Sequence, residues 1–444
     1  MELIRNLIFE LTDSKEPKAS KELAKIYLRH SHDSNVLHAL SKNYFDLKEF
    51  DKAFECITDI LKFYKEEEAY HLNAARCLYY LKKADKAEWI LENKISKETL
   101  NDPNNQVDLL LYKTAQGKFE EVYKRLGELK DISPQARFNY GWHCLGHNRF
   151  KDGFKYIRTG ADLHVWGNEW VIQRDYGITE ERRWNGENVD TIAFVLEGGL
   201  GDEMIFIRYA ECFKKYAKKV KIFAHRNLVA FFNDCGYENV YCIKEILKER
   251  WDKYVPAMSS PYFLELDSPV INDNKPYLIK DPSYKKYIPE LDEISNGKKK
   301  ICIRWKGNPE FEHDQFRSFP LEPLLKLQEY GQLFSIQIDD KEDLSKNDNV
   351  WDLRHLIKNW SDTYDAFSQM DLIVTSCTST AHLAAAMGKK TIVLVPLVPY
   401  FIWASDDIKW YGDNVTVIRQ TKYNDWSEAI NKLFKIVPEL IKDS

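Results

Sequence analysis

The chain has 444 residues, which predicts three domains at about 150 residues each, and its net charge of −5 argues against a general nucleic-acid binder. The longest nearly apolar run, Thr391 to Trp403, contains two prolines and is too short for a bilayer span of about 20 residues. The first residues carry charges unlike a secretory signal, and the eight cysteines are scattered without a CxxC pair, so we expect a cytoplasmic protein with reduced thiols.

The aromatic content is high, at 14% of residues, and it is unevenly distributed. The chain has 12 tryptophans, and most of them lie from Trp166 onward. Two interpretations are open: ordinary core packing, which composition favours, and a cleft in which rings stack on sugars or bases.

The first 165 residues repeat. The segments Leu47 to Ile57 and Leu81 to Leu91 align with each other at a fixed offset, and shorter copies begin at Gly117 and Asn148. A period of about 34 residues with a small residue where two helices cross is typical of tetratricopeptide repeats. We therefore predict a helical solenoid over residues 1–165. It would serve either as a surface for protein binding or self-association, or as a structural platform.

After a linker at residues 166–189 the pattern changes to strand, turn and helix. The first half, residues 190–290, is predicted to contain strands 191–196 and 220–224, helices 203–218 and 228–234, and short strands near Val240 and Tyr254. The second half, residues 298–444, is predicted to contain strands 300–305, 332–337, 371–375 and 391–395 and helices 321–330, 362–370 and 380–387. This alternation predicts two doubly wound parallel sheets, with a ligand at the carboxyl ends of the strands.

A glycine-rich turn, Glu197 to Asp202, follows the first strand of the first half. Its spacing fits neither the GxGxxG fingerprint nor a Walker A loop. Glycines there let a backbone approach an anion or a sugar. Asp202 at the helix start is either an N-terminal cap or a carboxylate that takes a proton from an acceptor hydroxyl.

Two segments of the second half could meet phosphate. Arg304, Lys306 and Arg317 follow a strand and either neutralise a diphosphate or are solvated loop charges. The hydroxyl run at Thr378 to Thr380 opens a helix and either binds phosphate through free N–H groups or only caps the helix. His382 is either a phosphate donor or a packed core histidine.

Together these segments resemble the family 9, heptosyltransferase-like glycosyltransferases, in particular bacterial proteins that carry tetratricopeptide repeats before such a domain. The matching segments are residues 183–186, 197–202, 304–308 with 317–320, 371–385, and a tail from Val395 to Trp426. The resemblance implies an α + α/β chain, a solenoid followed by a GT-B-type pair of Rossmann-like domains. It also implies a nucleotide-sugar donor, no cofactor or obligatory metal, and inversion at the anomeric carbon.

The resemblance assigns roles to single positions. Asp202 matches the catalytic aspartate. Donor and phosphate contacts are expected at Gly199, Gly201, Lys306, Arg317, Thr378, Ser379 and His382. Trp305, Trp403 and Trp410 lie in segments that resemble cleft-lining parts of the family, and ring stacking on a sugar is an open alternative to core packing for these three.

One departure concerns Cys377, where the family usually has an aspartate. A thiol cannot accept hydrogen bonds from a sugar as a carboxylate does. Two functions are therefore kept: a cytoplasmic glycosyltransferase whose repeats recruit a protein or glycan acceptor, and a non-catalytic scaffold with an inactive transferase-like domain. No Asp-x-Asp metal motif is visible, and Asp339-Asp340 is interpreted as a solvated loop.

Overall fold

The computed structural model describes residues 1–311, 314–338, 344 and 349–442, so that Asp339 and Asp340 lie outside the described residues. The chain divides into two compact units, Met1–Ala136 and Arg137–Ser444. The helices of the first unit are α1 (Glu2–Asp13), α2 (Pro17–Leu28), α3 (Ser34–Asp46), α4 (Phe50–Leu61), α5 (Glu68–Tyr80), α6 (Ala84–Lys94), α7 (Lys97–Leu100), α8 (Pro103–Thr114) and α9 (Phe119–Leu129).

The sequence repeat is visible in the turns between helices. Lys48 and Lys82, which are 34 positions apart, both adopt φ of +60°, and Gly117 adopts +78° at the next turn. After each of these residues a backbone N–H returns to the preceding helix, as Glu49 N–H to the Tyr44 carbonyl at 2.8 Å. These left-handed turns close one helix and reverse the chain into the next, as helix C-terminal motifs do. The repeated helix-turn-helix unit predicted for this region is confirmed.

Small residues allow the paired helices to approach. Ala53 and Ala87, which occupy the same place in successive repeats, are both 0% exposed. Their neighbours Ile57 and Leu91 fill the space one turn further on and are also fully buried. A single pair of helices would leave these apolar faces in water, which is why such repeats stack.

The second unit continues with helix α10 (Pro134–Gly146), of which the part from Arg137 belongs to it, and then packs further helices before its sheets. Gly141 on α10 illustrates the tight crossing, because a Cβ there would lie 2.4 Å from the Ile157 backbone nitrogen. The helices before the first sheet are α11 (Phe150–Ile157), α12 (Thr159–Asp162) and α13 (Glu169–Tyr176), and α13 lies within residues 166–189.

We expect Gly141→Ala to destabilise the protein by about 1–3 kcal/mol, because the new methyl group meets backbone that can move only if two helices separate. The higher helix propensity of alanine returns about 1 kcal/mol at most. Thermal unfolding compares this variant with Gly412→Ala, where the nearest atom is the end of the Asn414 side chain at 3.3 Å. Equal melting temperatures for both variants would contradict the tight crossing.

Two parallel sheets follow, each with helices between its strands. The first contains β1 (Val189–Val195), β2 (Ala217–Ala224), β3 (Val240–Cys242) and β4 (Lys253–Pro256), and the second contains β5 (Lys300–Arg304), β6 (Gln332–Ser335), β7 (Val350–Asp352), β8 (Leu372–Ser376), β9 (Thr391–Val395) and β10 (Val415–Arg419). The helices of these halves are α14 (Leu200–Phe206), α15 (Arg226–Asp234), α16 (Ser260–Phe263), α17 (Pro289–Ser295), α18 (Asp314–Arg317), α19 (Trp360–Ser368), α20 (Ser379–Ala386) and α21 (Ser427–Lys442).

The strand orders are β3-β2-β1-β4 and β10-β9-β8-β5-β6-β7, and every pairing is parallel. In each sheet the chain starts in the middle, winds to one side and then crosses to the other. The first sheet therefore has a topological switch point between β1 and β4, and the second has one between β5 and β8. The predicted fold class, a helical solenoid followed by a GT-B-type pair of Rossmann-like halves, is confirmed.

The sequence misjudged several elements of these halves. The helix predicted over 203–218 is α-helical only to Phe206 and continues as a 3₁₀ helix over Ile207–Lys215. Strands β7 and β10 were not predicted, because β7 has three residues and β10 lacks a buried alternating face. The predicted helix 321–330 is a 3₁₀ helix, Glu322–Glu329, with Pro323 near its start.

Candidate functional site

The two switch points supply the predicted site residues. Asp202 lies at the start of α14, after β1. Lys306 and Arg317 follow β5, the latter at the end of α18, and Ser379 begins α20 after β8. The two halves meet here. Gly201 comes so close to α20 that a Cβ would lie 3.0 Å from the His382 ring and 3.3 Å from the Ser379 Cα. The absence of a side chain at Gly201 therefore lets the loop of one half contact the helix start of the other.

Asp202 lies half-buried in the first turn of α14 with both carboxylate oxygens held. Its Oδ2 accepts from the Gly199 N–H at 2.8 Å, and its Oδ1 accepts from the Tyr400 hydroxyl at 2.9 Å. Burial raises the pKa of Asp202, while these two hydrogen bonds and the charge of Arg317 oppose that rise. The carboxylate thus caps its helix, as one interpretation predicted, and also faces residues of the other half, which a cap alone does not require.

Arg317 ends the short helix α18 and is held by two acceptors. Its Nε donates to Asp314 Oδ1 at 2.9 Å, and its Nη1 donates to the Cys377 carbonyl at 3.2 Å. The guanidinium therefore stands beside the start of α20, and its charge acts on Asp202. Lys306 is half-buried, and the Gln337 side chain fixes its backbone at the end of β5.

The start of α20 leaves backbone donors open. Thr378 is the N-cap residue, but its hydroxyl does not cap the helix and instead lies 2.6 Å from the Thr380 hydroxyl. Within the described residues, the N–H groups of Ser379 and Thr380 have no acceptor, and the Ser379 side chain is half-buried. Open N–H groups at a helix start form an anion site. The geometry favours that interpretation over hydroxyls that serve only as caps.

His382 is packed rather than open. It is 6% exposed, its Nδ1 lies 2.9 Å from the Tyr411 hydroxyl, and its ring stacks on Trp403 at a centroid distance of 4.8 Å. Burial lowers the pKa of His382 to about 3, so the ring is neutral at physiological pH. The structure therefore favours the packed-histidine alternative, and His382 brings no positive charge to a phosphate.

The three tryptophans proposed for ring stacking require a correction. Trp305 and Trp403 are 0% exposed and Trp410 is 1% exposed. Trp403 stacks on both His382 and Tyr411, and the other two pack in hydrophobic cores. A ring without an exposed face cannot receive a sugar, so core packing is the correct interpretation for all three.

Cys377 departs from the family pattern without removing a contact that the structure uses. Its thiol is buried, and burial raises the pKa of the thiol to about 11, so it is neutral. Arg317 binds the carbonyl of this residue and not its side chain. Any residue at this position would offer that carbonyl, so the contact with Arg317 does not depend on the side chain at Cys377.

Comparison with known proteins gives a fold-level likeness. No protein-family model and no curated protein matches the chain. Similar solved structures include E. coli ADP-heptose lps heptosyltransferase II (11% identical, 57% of this chain and 99% of that one, TM-score 0.40) and a glycosyl transferase family 9 structure from Veillonella parvula DSM 2008 (12%, 59% and 100%, 0.40). Another is MamA from Desulfovibrio magneticus RS-1 (15%, 37% and 93%, 0.31). The similar structures thus include both classes that the sequence resembles, repeat proteins and family 9 transferases.

A separate pocket of about 560 Å³ lies elsewhere in the second unit. It includes Arg183, Trp184 and Asn185, from one of the segments that carry the resemblance. The Arg183 guanidinium binds Glu169 at 2.9 Å, and the Trp184 indole N–H donates to the Glu187 carbonyl at 2.7 Å. None of the predicted site residues lines this pocket, so the segment supports the fold around α13 rather than the site.

Among the residues that the structure describes, no group of three or more His, Cys, Asp or Glu side chains is arranged to hold a metal ion. Within the same ranges, no helix combines the length and the apolar character that crossing a bilayer requires. The expectation that no metal is needed stays a prediction.

Sequence reasoning missed Tyr400, which bonds Asp202 from 198 positions away. It also missed Arg208, a buried cation that donates to the Trp410 carbonyl at 2.7 Å and to the Tyr277 hydroxyl at 2.6 Å. The one available signal was the aromatic segment after β9, which contains Tyr400, Trp410 and Tyr411. The sequence of that segment does not indicate which of these aromatic side chains contacts Asp202.

Glu197, in the same glycine-rich turn as Asp202, is a buried carboxyl group that has no cationic partner within hydrogen-bond distance among the described residues. It accepts from the backbone N–H groups of Asn168 at 2.9 Å and Met258 at 3.2 Å, and it is 4% exposed. Burial raises its pKa from 4.5 to about 8. The folded protein therefore binds a proton at Glu197 that the unfolded chain releases near pH 4.5.

This pKa predicts a pH-dependent stability. Because the pKa of Glu197 is higher in the folded protein than in the unfolded chain, the contribution of Glu197 to the stability of the fold is complete below pH 4.5. This contribution is lost as the pH rises toward about 8. Glu197→Gln stays neutral at every pH, but its amide nitrogen cannot accept from one of the two N–H groups that Glu197 binds. We therefore expect it to melt below the parent near pH 5 and to gain on the parent steadily as the pH rises to 8.5. Thermal unfolding across this pH range measures the difference, with Glu245→Gln, on a half-buried residue of the same half, as a control. A difference that does not grow with pH would contradict the assignment.

Proposed function

We propose that the chain transfers a sugar from a nucleotide-sugar donor to a hydroxyl acceptor, with inversion and without an obligatory metal or cofactor. The observation that supports this most is the meeting of the two switch points: Asp202 from one half faces Arg317 and the open start of α20 from the other. Ligands of open α/β sheets bind at such points.

The chemistry follows from the charges at the two sides. Asp202 takes the proton of the acceptor hydroxyl, and its burial-raised pKa brings it closer to the operating pH of a general base. The acceptor oxygen forms the new bond to the anomeric carbon, and the bond to the donor diphosphate breaks. The leaving diphosphate keeps the electron pair, and its charge is met by Arg317, Lys306 and the N–H groups of Ser379 and Thr380.

The helical repeats are the part of the chain that we propose for acceptor recruitment. Stacked helical hairpins present a long surface of side chains, which suits a polypeptide better than a small molecule. We propose that this surface recruits a protein or glycan acceptor, a partner protein or a second copy of the chain. Nucleic acid is not expected as a partner, given the net charge of −5.

A non-catalytic scaffold is the second candidate function. The observation that favours it is Cys377, a neutral and buried thiol at a position where the family usually has a carboxylate. In that case the site would bind a nucleotide diphosphate without turnover, and the repeats would carry the function.

A panel of nucleotides provides the first test. UDP, ADP, GDP, CDP and TDP are added separately to the full chain, and the melting temperature is measured. A ligand that binds only the native state raises this temperature with its affinity. We expect one diphosphate to stabilise the parent and to lose that effect in Arg317→Ala. If none of the five raises the melting temperature, the donor site proposed here is wrong.

A further inference from the structure

Tyr400 belongs to an irregular segment that covers Asp202. This segment, called the aromatic loop and comprising residues 396–412, joins β9 to β10 and contains only one 3₁₀ turn, Phe401–Trp403. Because regular backbone hydrogen bonds do not fix such a loop, its side-chain contacts decide where the Tyr400 hydroxyl lies.

Several of those contacts come from the last helical hairpin, α10 and α11. Asn148, in the turn between these helices, donates to the Ser405 hydroxyl and to the Asp407 carbonyl, both at 3.1 Å. Gly146 lies so close that a Cβ would be 3.0 Å from the Ala404 Cβ. Phe150 and Phe154 of α11 both meet the Trp410 ring edge-to-face at 6.1 Å.

Trp142 of α10 touches Tyr400 itself. The two rings meet edge-to-face with centroids 5.2 Å apart and planes at 74°, and Trp142 meets Phe401 in the same manner at 5.1 Å. Edge-to-face pairs of this kind stabilise a structure beyond the effect of the area that they bury. Trp142 therefore supports the Tyr400 ring, whose hydroxyl bonds Asp202.

We propose that Tyr400 is a positioning residue for the Asp202 carboxylate and that Trp142 acts through Tyr400, which makes the last helical hairpin a structural part of the catalytic site. The proposal rests on the proposed function insofar as Asp202 is the base. The two contacts on which it is built, Trp142 with Tyr400 and Tyr400 with Asp202, exist whether or not the protein transfers a sugar.

The hydroxyl of Tyr400 has two consequences for Asp202. It fixes Oδ1 while the Gly199 N–H fixes Oδ2, so the carboxylate is held in one orientation. It also donates to the charged form, which lowers the pKa of Asp202 against the rise caused by burial. Without it, the carboxylate would rotate more freely and hold its proton to a higher pH.

The variant Tyr400→Phe removes only this hydroxyl. We expect kcat to fall about tenfold, consistent with the loss of one hydrogen bond to a charged group, and the acidic limb of the pH–rate profile to move to higher pH. The KM for the donor stays unchanged, because Arg317 and α20 are untouched. Tyr284→Phe, on an exposed tyrosine, is the matched control and changes neither quantity.

A double-mutant cycle tests the role of Trp142. We expect Trp142→Leu to lower kcat about threefold and Trp142→Phe, which keeps an aromatic edge, to restore most of it. Adding Trp142→Leu to Tyr400→Phe should cause no further loss, because Trp142 then has no hydroxyl to position. Trp170→Phe, on a tryptophan that stacks with His164, is the control. If the reductions in kcat caused by Trp142→Leu and Tyr400→Phe multiply in the double variant, Trp142 does not act through Tyr400 and the proposal is overturned.

A readout without turnover separates this proposal from the proposed function. With ¹³C-labelled aspartate carboxyls, the Asp202 signal is assigned by its disappearance in Asp202→Asn, and its pKa is measured by titration. We expect the pKa of Asp202 to be higher in Tyr400→Phe than in the parent, even if no sugar is transferred. An unchanged pKa in Tyr400→Phe would overturn the positioning role, while transfer by the parent would still stand.

Discussion

Asp202→Asn is expected to reduce sugar transfer by about 10²–10⁴-fold while donor binding is retained. An amide cannot accept the proton of the acceptor hydroxyl, and positioned general bases contribute about this factor. The substitution keeps the size of the side chain and one oxygen that can still accept from Tyr400 or Gly199. Initial rates at saturating donor, together with the melting-temperature shift caused by the nucleotide diphosphate, measure the two effects separately.

Asp190→Asn is the matched control, because Asp190 lies exposed on the same half and pairs with the surface residue Lys218. It should transfer sugar at the parental rate. If Asp202→Asn and the parent transfer equally well, Asp202 is not the base. If Asp202→Asn loses diphosphate binding as well, the carboxylate supports the donor site rather than the proton transfer.

The second large effect is expected at Arg317. Arg317→Ala should weaken binding of the nucleotide diphosphate about 10–100-fold and lower transfer by about 10²–10³-fold. The lost charge-assisted hydrogen bonds explain the first effect, and the unneutralised leaving group explains the second. Isothermal titration with the diphosphate identified in the panel measures binding, and initial rates measure transfer.

Two further variants make the Arg317 result specific. Arg226→Ala removes an exposed arginine at the start of α15 and should bind and transfer like the parent. Arg317→Lys keeps the charge but not the planar fork that reaches the Cys377 carbonyl, so an intermediate loss is expected. Parental binding in Arg317→Ala would show that the diphosphate, if it binds, lies elsewhere.

The sequence was sufficient for the repeats and for most of the strand and helix order, although not for β7 and β10, because periodicity is a local property. The recurrence of Ala53 and Ala87 at an offset of 34 residues predicted the helix crossings, and strand-turn-helix alternation predicted the two sheets. The placement of Asp202 and Ser379 at switch points also follows from the chain order of the strands once the sheets form. Boundaries were less predictable, since Gly141 and Trp142 look like repeat residues but belong to the second compact unit.

What the sequence could not provide is the partner of each side chain across the fold. Trp403 and Tyr400 are three residues apart in one loop, yet the first stacks on a neutral histidine in the core and the second reaches Asp202. The choice is made by the space that α10, α14 and α20 leave between them. The same packing explains why core packing, one of the two interpretations left open by the sequence, is correct for Trp403.

The most direct test of the proposed function is acceptor-dependent consumption of a nucleotide sugar. The full chain is incubated with each donor and with fractionated cell proteins and glycans, while release of nucleoside diphosphate and added sugar mass are followed. We predict that one donor is consumed only with an acceptor, that the product carries the sugar, and that Asp202→Asn lowers both signals by at least about 10²-fold. A folded parent that binds the diphosphate yet consumes no donor with any acceptor fraction would contradict catalysis and support the scaffold.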